Sequence, residues 1–123
     1  MSLNNYNFKK IKGDASFREF FRERSNNRTK ILVYSKKEKK KNLLIYDAIN
    51  KILLKNHILA PKLLNQYYDN NFIEINDFGD VSIFNELKKV KKNKINIFKK
   101  IILLLIKIQK IKTKKIKTFL KTK

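Results

Sequence analysis

The sequence predicts an α+β domain in which strands and one helix come first and helices follow. Three observations point there: short strand-like runs bounded by polar turns up to Gly79, apolar residues at helical spacing in 42–56 and again after 81, and an uneven distribution of charge. Residues 7–12 read as a short strand, and Gly13-Asp14 as the turn that ends it. Residues 17–24, rich in aromatics, read as the second strand. The polar turn Ser25-Asn26-Asn27-Arg28 leads to Ile31-Leu32-Val33-Tyr34, a compact buried strand, and the three together predict an antiparallel meander. The lysine run 36–41 reads as a solvated loop. Ile45, Ile49, Ile52 and Leu53 recur at helical spacing, which predicts an amphipathic helix over 42–56, stopped before Pro61. Two further strands, 62–68 and 72–76, flank the turn Asp69-Asn70-Asn71. Beyond Gly79, residues 81–89 predict a short helix. Ile97, Ile101, Leu104, Leu105, Ile108 and Ile111 form a stripe on a longer one, and its width predicts burial against another element. From Lys112 the chain is rich in Lys and Thr and is expected to fray.

A chain of 123 residues is one modest domain or part of a larger one, and a 42% hydrophobic content argues against wholesale disorder. The absence of cysteine excludes a disulfide framework, a thiolate zinc site and a Cys nucleophile. His57, the single histidine, leaves no partner for a His-based metal pair. The longest apolar run, 101–106, falls far short of the ~20 residues of a membrane-spanning helix. The polar start has no apolar signal core, so the cytoplasm is the expected compartment.

A net charge of +21 raises the question of nucleic acid, because basic side chains gain affinity by releasing counterions from phosphate backbones. Only Arg18, Arg22, Arg24 and Arg28 among the 31 basic residues are arginine, however, and dedicated phosphate-reading surfaces favour its bidentate fork. Lys, Asn and Ile, which have A/T-rich codons, dominate the composition, so nucleotide bias inflates the charge without a partner. The charge is also segregated: residues 1–86 hold 16 basic and 10 acidic residues, whereas 87–123 hold 15 lysines and no acid. A basic nucleic-acid-binding protein using segment 88–123 is therefore the alternative reading. Only Phe98 and Phe119 interrupt its lysines, which argues against base stacking. A third reading lays the 97–111 helix on an anionic membrane, against which stands its burial in a larger folded unit.

The segment Gly13-Asp14-Ala15-Ser16-Phe17-Arg18-Glu19-Phe20-Phe21-Arg22 resembles the GDASFRRYFR loop of the aminoglycoside phosphotransferase-like kinases, closest to the branch of anomeric N-acetylmuramate/N-acetylglucosamine sugar kinases. Ala60-Pro61-Lys62-Leu63-Leu64 is similar to that family's helix-following V-P-x-L/I-L. Phe72-Ile73-Glu74-Ile75-Asn76-Asp77-Phe78-Gly79-Asp80 resembles its L-L-L-E-D-L-G-D hinge, and residues 102–109 look like the next helix. The resemblance covers residues 7–111. It implies a protein-kinase-like N-terminal lobe over 1–80, with a five-stranded antiparallel sheet plus one helix, and the start of a helical C-terminal lobe over 81–123. It implies ATP as ligand, with Mg2+ in a complete enzyme of the family, and a sugar as phosphoryl acceptor.

For individual residues, the resemblance implies that backbone N–H groups of Gly13, Asp14, Ala15, Ser16 and Phe17 and the Ser16 hydroxyl form a phosphate cradle. The residue types alone are equally those of a hairpin turn in which Asp14 and Ser16 satisfy local backbone groups. Arg18 either points toward phosphate or pairs with Glu19 or Glu23. Glu74, Ile75 and Asn76 are implied as the hinge that hydrogen-bonds adenine through its backbone, where the plain alternative is a strand ending in a turn. Ile11 and Val33 are implied as lining the adenine slot, or else are core.

Two departures bear on activity. Protein kinases place a phosphate-holding Lys on strand three and a Glu on the next helix. Tyr34 occupies that strand position here and Asp47 is the helix's only acid, so Lys30, Lys36 or Lys37 would have to substitute. Asp77-Phe78-Gly79 spells the kinase magnesium motif, but no H-x-D loop precedes it, since His57 is followed by Ile58-Leu59; the turn reading is preferred, and His57 reads as a helix-end residue. Phosphoryl transfer further needs an Asp to orient the attacking hydroxyl and side chains to hold magnesium, and residues 87–123 contain no acid. The expectation is therefore a nucleotide-binding lobe truncated before its catalytic loop, with no catalytic or metal-ligating residue of its own. MgATP binding is expected to be weak or absent. A missing C-terminal half or partner chain is the implied partner, with nucleic acid disfavoured.

Overall fold

The computed structural model describes residues 7–12, 17–25, 28–36, 41–89 and 94–112. Five strands form one sheet: β1 (Asn7–Ile11), β2 (Arg18–Ser25), β3 (Arg28–Ser35), β4 (Leu63–Tyr67) and β5 (Phe72–Asn76), in the order β1-β2-β3-β5-β4. Every neighbouring pair is antiparallel. Helix α1 (Lys41–Lys55) lies between β3 and β4 in sequence, and α2 (Ile83–Lys89) and α3 (Lys94–Gln109) follow the sheet.

Residues facing one another across antiparallel pairs share a face, and successive residues alternate between faces. The register Ile11↔Phe20, Phe20↔Val33 and Val33↔Ile73, with Ile31↔Ile75, therefore gathers the apolar residues of four strands on one side. Leu43 of α1 joins Ile31, Val33, Ile73 and Ile75 there in a buried cluster. Ile11, Phe20, Tyr46, Leu63 and Tyr68 pack around it. Burying side chains of this size stabilises the domain by about 1.5–3 kcal/mol each, the main force holding α1 to the sheet.

The outer face carries Glu19, Phe21 and Glu23 of β2, Lys30, Leu32 and Tyr34 of β3, and Phe72 and Glu74 of β5. Lys30 Nζ lies 2.8 Å from Glu74 Oε1 and 3.1 Å from Glu23 Oε2, and Asn65 Nδ2 donates to Glu74 Oε2 at 2.7 Å. Tyr67 stacks on Phe72 with ring centroids 4.6 Å apart. A polar ladder thus crosses four strands beside an aromatic row, and each strand is held by cross-strand side-chain pairs as well as by its backbone.

The ends of the elements have local causes. Helix α1 stops in a Schellman arrangement: the His57 N–H donates to Leu54 O, the Ile58 N–H donates to Leu53 O, and His57 itself takes φ 56°. His57 is thus the helix-end residue the sequence suggests. Between β4 and β5 a single 3-10 turn, Tyr68–Asn70, is closed by Asn71 at φ 62° with its N–H on Tyr68 O. Asn tolerates that left-handed conformation better than most residues. Ser82 caps α2, its Oγ accepting the Asn85 N–H at 3.2 Å.

The predicted burial of the α3 stripe is not what the structure shows. No residue of α3 is buried; Ile97, Ile101 and the following Ile111 are half-buried, while Leu104, Leu105 and Ile108 are exposed. One polar link, Lys107 Nζ to His57 O at 2.8 Å, ties the helix to the end of α1. The helix follows from its apolar spacing and from its Leu, Lys and Gln residues, against the weaker propensity of six β-branched isoleucines, but the described residues offer it little surface to pack on. No helix among the described residues is long and apolar enough to cross a membrane.

Candidate functional site

Strand β2 puts Arg18, Phe20 and Arg22 on the face that carries α1, because Phe20 pairs with the buried Val33. Arg22 is the best-anchored cation of the domain. Its Nε donates to Asp77 Oδ2 at 2.6 Å, Nη2 to Asp77 Oδ1 at 3.0 Å, and Nη1 to Asp80 Oδ1 at 2.6 Å. The Asp77 pair is bidentate and dry, with the two side chains 8% and 4% exposed, whereas Asp80 is 78% exposed. Asp77 Oδ1 also accepts the Gly79 N–H at 2.8 Å, and Gly79 holds φ 79°, a left-handed conformation that favours glycine. The turn after β5 is thereby fastened to β2.

This network sets the ionisation of its members. The hydrogen bonds that Arg22 donates to Asp77 and Asp80 raise its pKa above the usual value against the opposing effect of burial. Burial alone would raise the Asp77 carboxyl, but Arg22, the Gly79 N–H and the Thr29 hydroxyl outweigh it and hold the group below its ordinary range. On the outer face the Glu74 carboxylate raises Lys30, with burial opposing and Glu23 assisting.

Of the predicted phosphate cradle, Gly13, Asp14, Ala15 and Ser16 lie outside the described residues, while Phe17 is exposed at the start of β2. Glu19 and Glu23, the acids expected to pair with Arg18, bind Lys10 at 3.0 Å and Lys30 at 3.1 Å on the face opposite to that of Arg18. Its guanidinium carbon instead sits 4.9 Å from the centroid of Tyr46 on α1, and Tyr46 meets Phe20 edge-on at 6.2 Å. A cation over an aromatic face is a favourable contact that joins β2 to α1.

The segment Glu74-Ile75-Asn76, expected as a hinge, is woven into the sheet. Glu74 turns to the outer face and binds Lys30 and Asn65, whereas Ile75 is buried in the core. The Asn76 N–H donates to Lys62 O at 3.1 Å, and Asn76 Oδ1 accepts the Lys62 N–H at 2.6 Å. Val33 is fully buried against α1 and offers no surface to a ligand, so the core reading of that residue holds; Ile11 is half-buried at the edge of the same cluster.

The register also fixes where the two candidate segments lie. Arg18 pairs with Ser35 at one end of β3, and Asn76 pairs with Lys30 at the other. Five residues of antiparallel strand separate these ends by roughly 17 Å. Tyr34 points to the outer face, opposite Glu19 and Phe72, so the residues of β3 that face α1 at this end are Val33 and Ser35. Lys30 lies on that outer face too, and Lys36 is exposed beyond the strand; Lys37 lies outside the described residues. Asp47 of α1 is buried, with Lys51 Nζ at 2.6 Å and the Tyr68 hydroxyl at 3.3 Å.

The Arg22 clamp escapes a reading of the sequence because its partners are 55 and 58 positions away. One signal was present: the aromatic run 17–24 also holds Arg18, Arg22 and Arg24, and an arginine buried among aromatics needs an acid, while Asp77 and Asp80 bracket the one glycine of the second half. Among the described residues no group of three or more His, Cys, Asp or Glu is placed to hold a metal ion. Neither a family model nor a curated protein nor a solved structure matches the chain.

Proposed function

We propose that this domain is the nucleotide-binding lobe of a small-molecule phosphotransferase of the aminoglycoside phosphotransferase-like group, acting on a sugar and using ATP. What supports the reading is the disposition of its two candidate segments. Ile11 and Arg18, which flank the loop segment in sequence, lie toward the Ser35 end of β3, and the Glu74-Ile75-Asn76 segment ends toward the other, a span that suits an extended nucleoside triphosphate with adenine at the hinge. The Arg22 clamp adds a second line of support, because it unites the last residue of the loop motif with two of the three acids of the hinge motif, Asp77 and Asp80. Asp77 is then a structural anchor of the hinge turn rather than a magnesium ligand: both its oxygens already accept hydrogen bonds from Arg22.

On this reading affinity is weak, with a Kd of about 1 mM, worth roughly 4 kcal/mol. Val33 and Ser35 provide no charge where a strand-three lysine would hold phosphate, leaving the loop backbone and Arg18 to do so. No phosphotransfer by the chain itself is expected. Equilibrium dialysis of the full chain with labelled ATP at moderate salt tests the reading, using inorganic tripolyphosphate as competitor. Tripolyphosphate should displace ATP only at about tenfold higher concentration than unlabelled ATP, since it lacks the base. Equal competition would reduce the interaction to attraction between a polyanion and a lysine-rich surface.

A further inference from the structure

The largest unexplained feature outside the candidate site is α3. Ile95, Phe98, Ile102 and Leu105 are 70%, 50%, 55% and 52% exposed, and their spacings of three, four and three place them in one arc roughly 100° wide. On one side the arc is bordered by the half-buried Ile97 and Ile101, and beyond Ile106 on the other by Lys99 and Lys110. Residues 94–112 carry six lysines and no acid.

We propose that this outward seam of α3 is the docking surface for an amphipathic helix of net negative charge, supplied by a protein partner. The width and spacing of the seam are those one packed helix covers, with anchors at i, i+3, i+7 and i+10. Charge complementarity selects an acidic occupant, because Glu or Asp flanking its apolar stripe meets the lysines at the rim of the seam. The same lysines disfavour a second copy of the chain, whose α3 would bring like charge against like. A bilayer fits less well. The Lys107–His57 link ties one side of the helix to the end of α1, and Ile97 and Ile101 are half-buried, although Leu103, Leu104, Ile106 and Ile108 are exposed beside or opposite the seam.

The test uses the full chain and two synthetic peptides about four heptads long, both with Ile and Leu on the seam, one flanked by Glu and the other by Lys. The Glu-flanked peptide should bind at least about tenfold more tightly than the Lys-flanked one at about 0.15 M salt. The double variant Ile102→Asn/Leu105→Asn should lose that binding while keeping its helical circular dichroism, since both residues are exposed. The variant Lys99→Glu/Lys110→Glu should reverse the preference between the peptides. The proposal is overturned by equal binding of both peptides, by binding of neither, or by a preference that the charge-reversal variant leaves unchanged. It is equally overturned if vesicles of phosphatidylcholine and phosphatidylglycerol in equal parts bind the chain through Ile102 and Leu105 more tightly than the Glu-flanked peptide does. A dimer abolished by Ile102→Asn would assign the seam to a second copy instead.

Discussion

Arg22 and its two acids show how differently one kind of pair contributes in different surroundings. Asp77 is dry and bidentate, so removing its cation leaves a buried carboxylate without compensation, whereas Asp80 stands in water where ion pairs contribute little. Arg22→Met is expected to lower the unfolding free energy by about 3–5 kcal/mol and Asp80→Asn by less than about 1 kcal/mol, both measurable by denaturant titration. The depressed Asp77 carboxyl has a pH consequence. Its contribution is fully present above the unfolded-state value of 3.8 and is lost as pH falls through the lower folded-state value. Urea titrations on the acid side should therefore show a loss of stability that Asp77→Asn, already destabilised at neutral pH, largely lacks. His57 offers an opposite case: it occupies a left-handed position without being glycine. His57→Gly is predicted to stabilise the domain by about 0.5–1 kcal/mol, and an unchanged or lowered denaturation midpoint would contradict the strain assigned there.

At the scale of elements, helix α1 is held by Leu43, whose side chain is fully buried among Ile31, Val33, Ile73 and Ile75. Leu43→Ala should cost about 2–5 kcal/mol, while Ile49→Ala, on the exposed side of the same helix, should cost less than about 1 kcal/mol; similar losses would mean that α1 packs by another face. The apolar spacing disclosed α1 but not its packed face: Ile45 and Ile49 are exposed, and the buried side holds Leu43, Ala48 and Ile52 with the polar Asp47 and Asn50. The limits moved where pairing overrode local composition. Strand β3 begins at Arg28 rather than Ile31, because Arg28, Thr29 and Lys30 continue the ladder with Ser25, Arg24 and Glu23. Strand β4 ends at Tyr67, since Tyr68 turns into the 3-10 segment and packs on the core. In α3 the spacing disclosed the helix but not its surroundings: a wide apolar stripe predicts burial, whereas the described residues leave most of this one exposed. The segments 13–22 and 72–80 were each singled out in the sequence by their resemblance to kinase motifs. Their junction through Arg22 was not, because a contact across more than fifty residues leaves no local trace.

For the whole molecule, two features compete to decide how it behaves in solution. Its net charge of +21 keeps copies apart, while the exposed seam of α3 favours association with anything apolar. Apolar-dye binding should be strong and should fall when Ile102 and Leu105 are replaced by Asn; a chain that binds no dye would contradict the exposure of the seam. The same charge complicates any claim about nucleotides, since a lysine-rich surface attracts every polyanion. Adenosine removes that difficulty, because it carries the base without the phosphates. The most direct measurement is therefore a backbone-amide NMR titration, first with adenosine and then with MgATP. A nucleotide-binding lobe predicts that adenosine moves amides at and just after Glu74, Ile75 and Asn76, and that ATP additionally moves those from Gly13 to Arg18. Shifts that appear only with ATP and scatter over the lysines would contradict it.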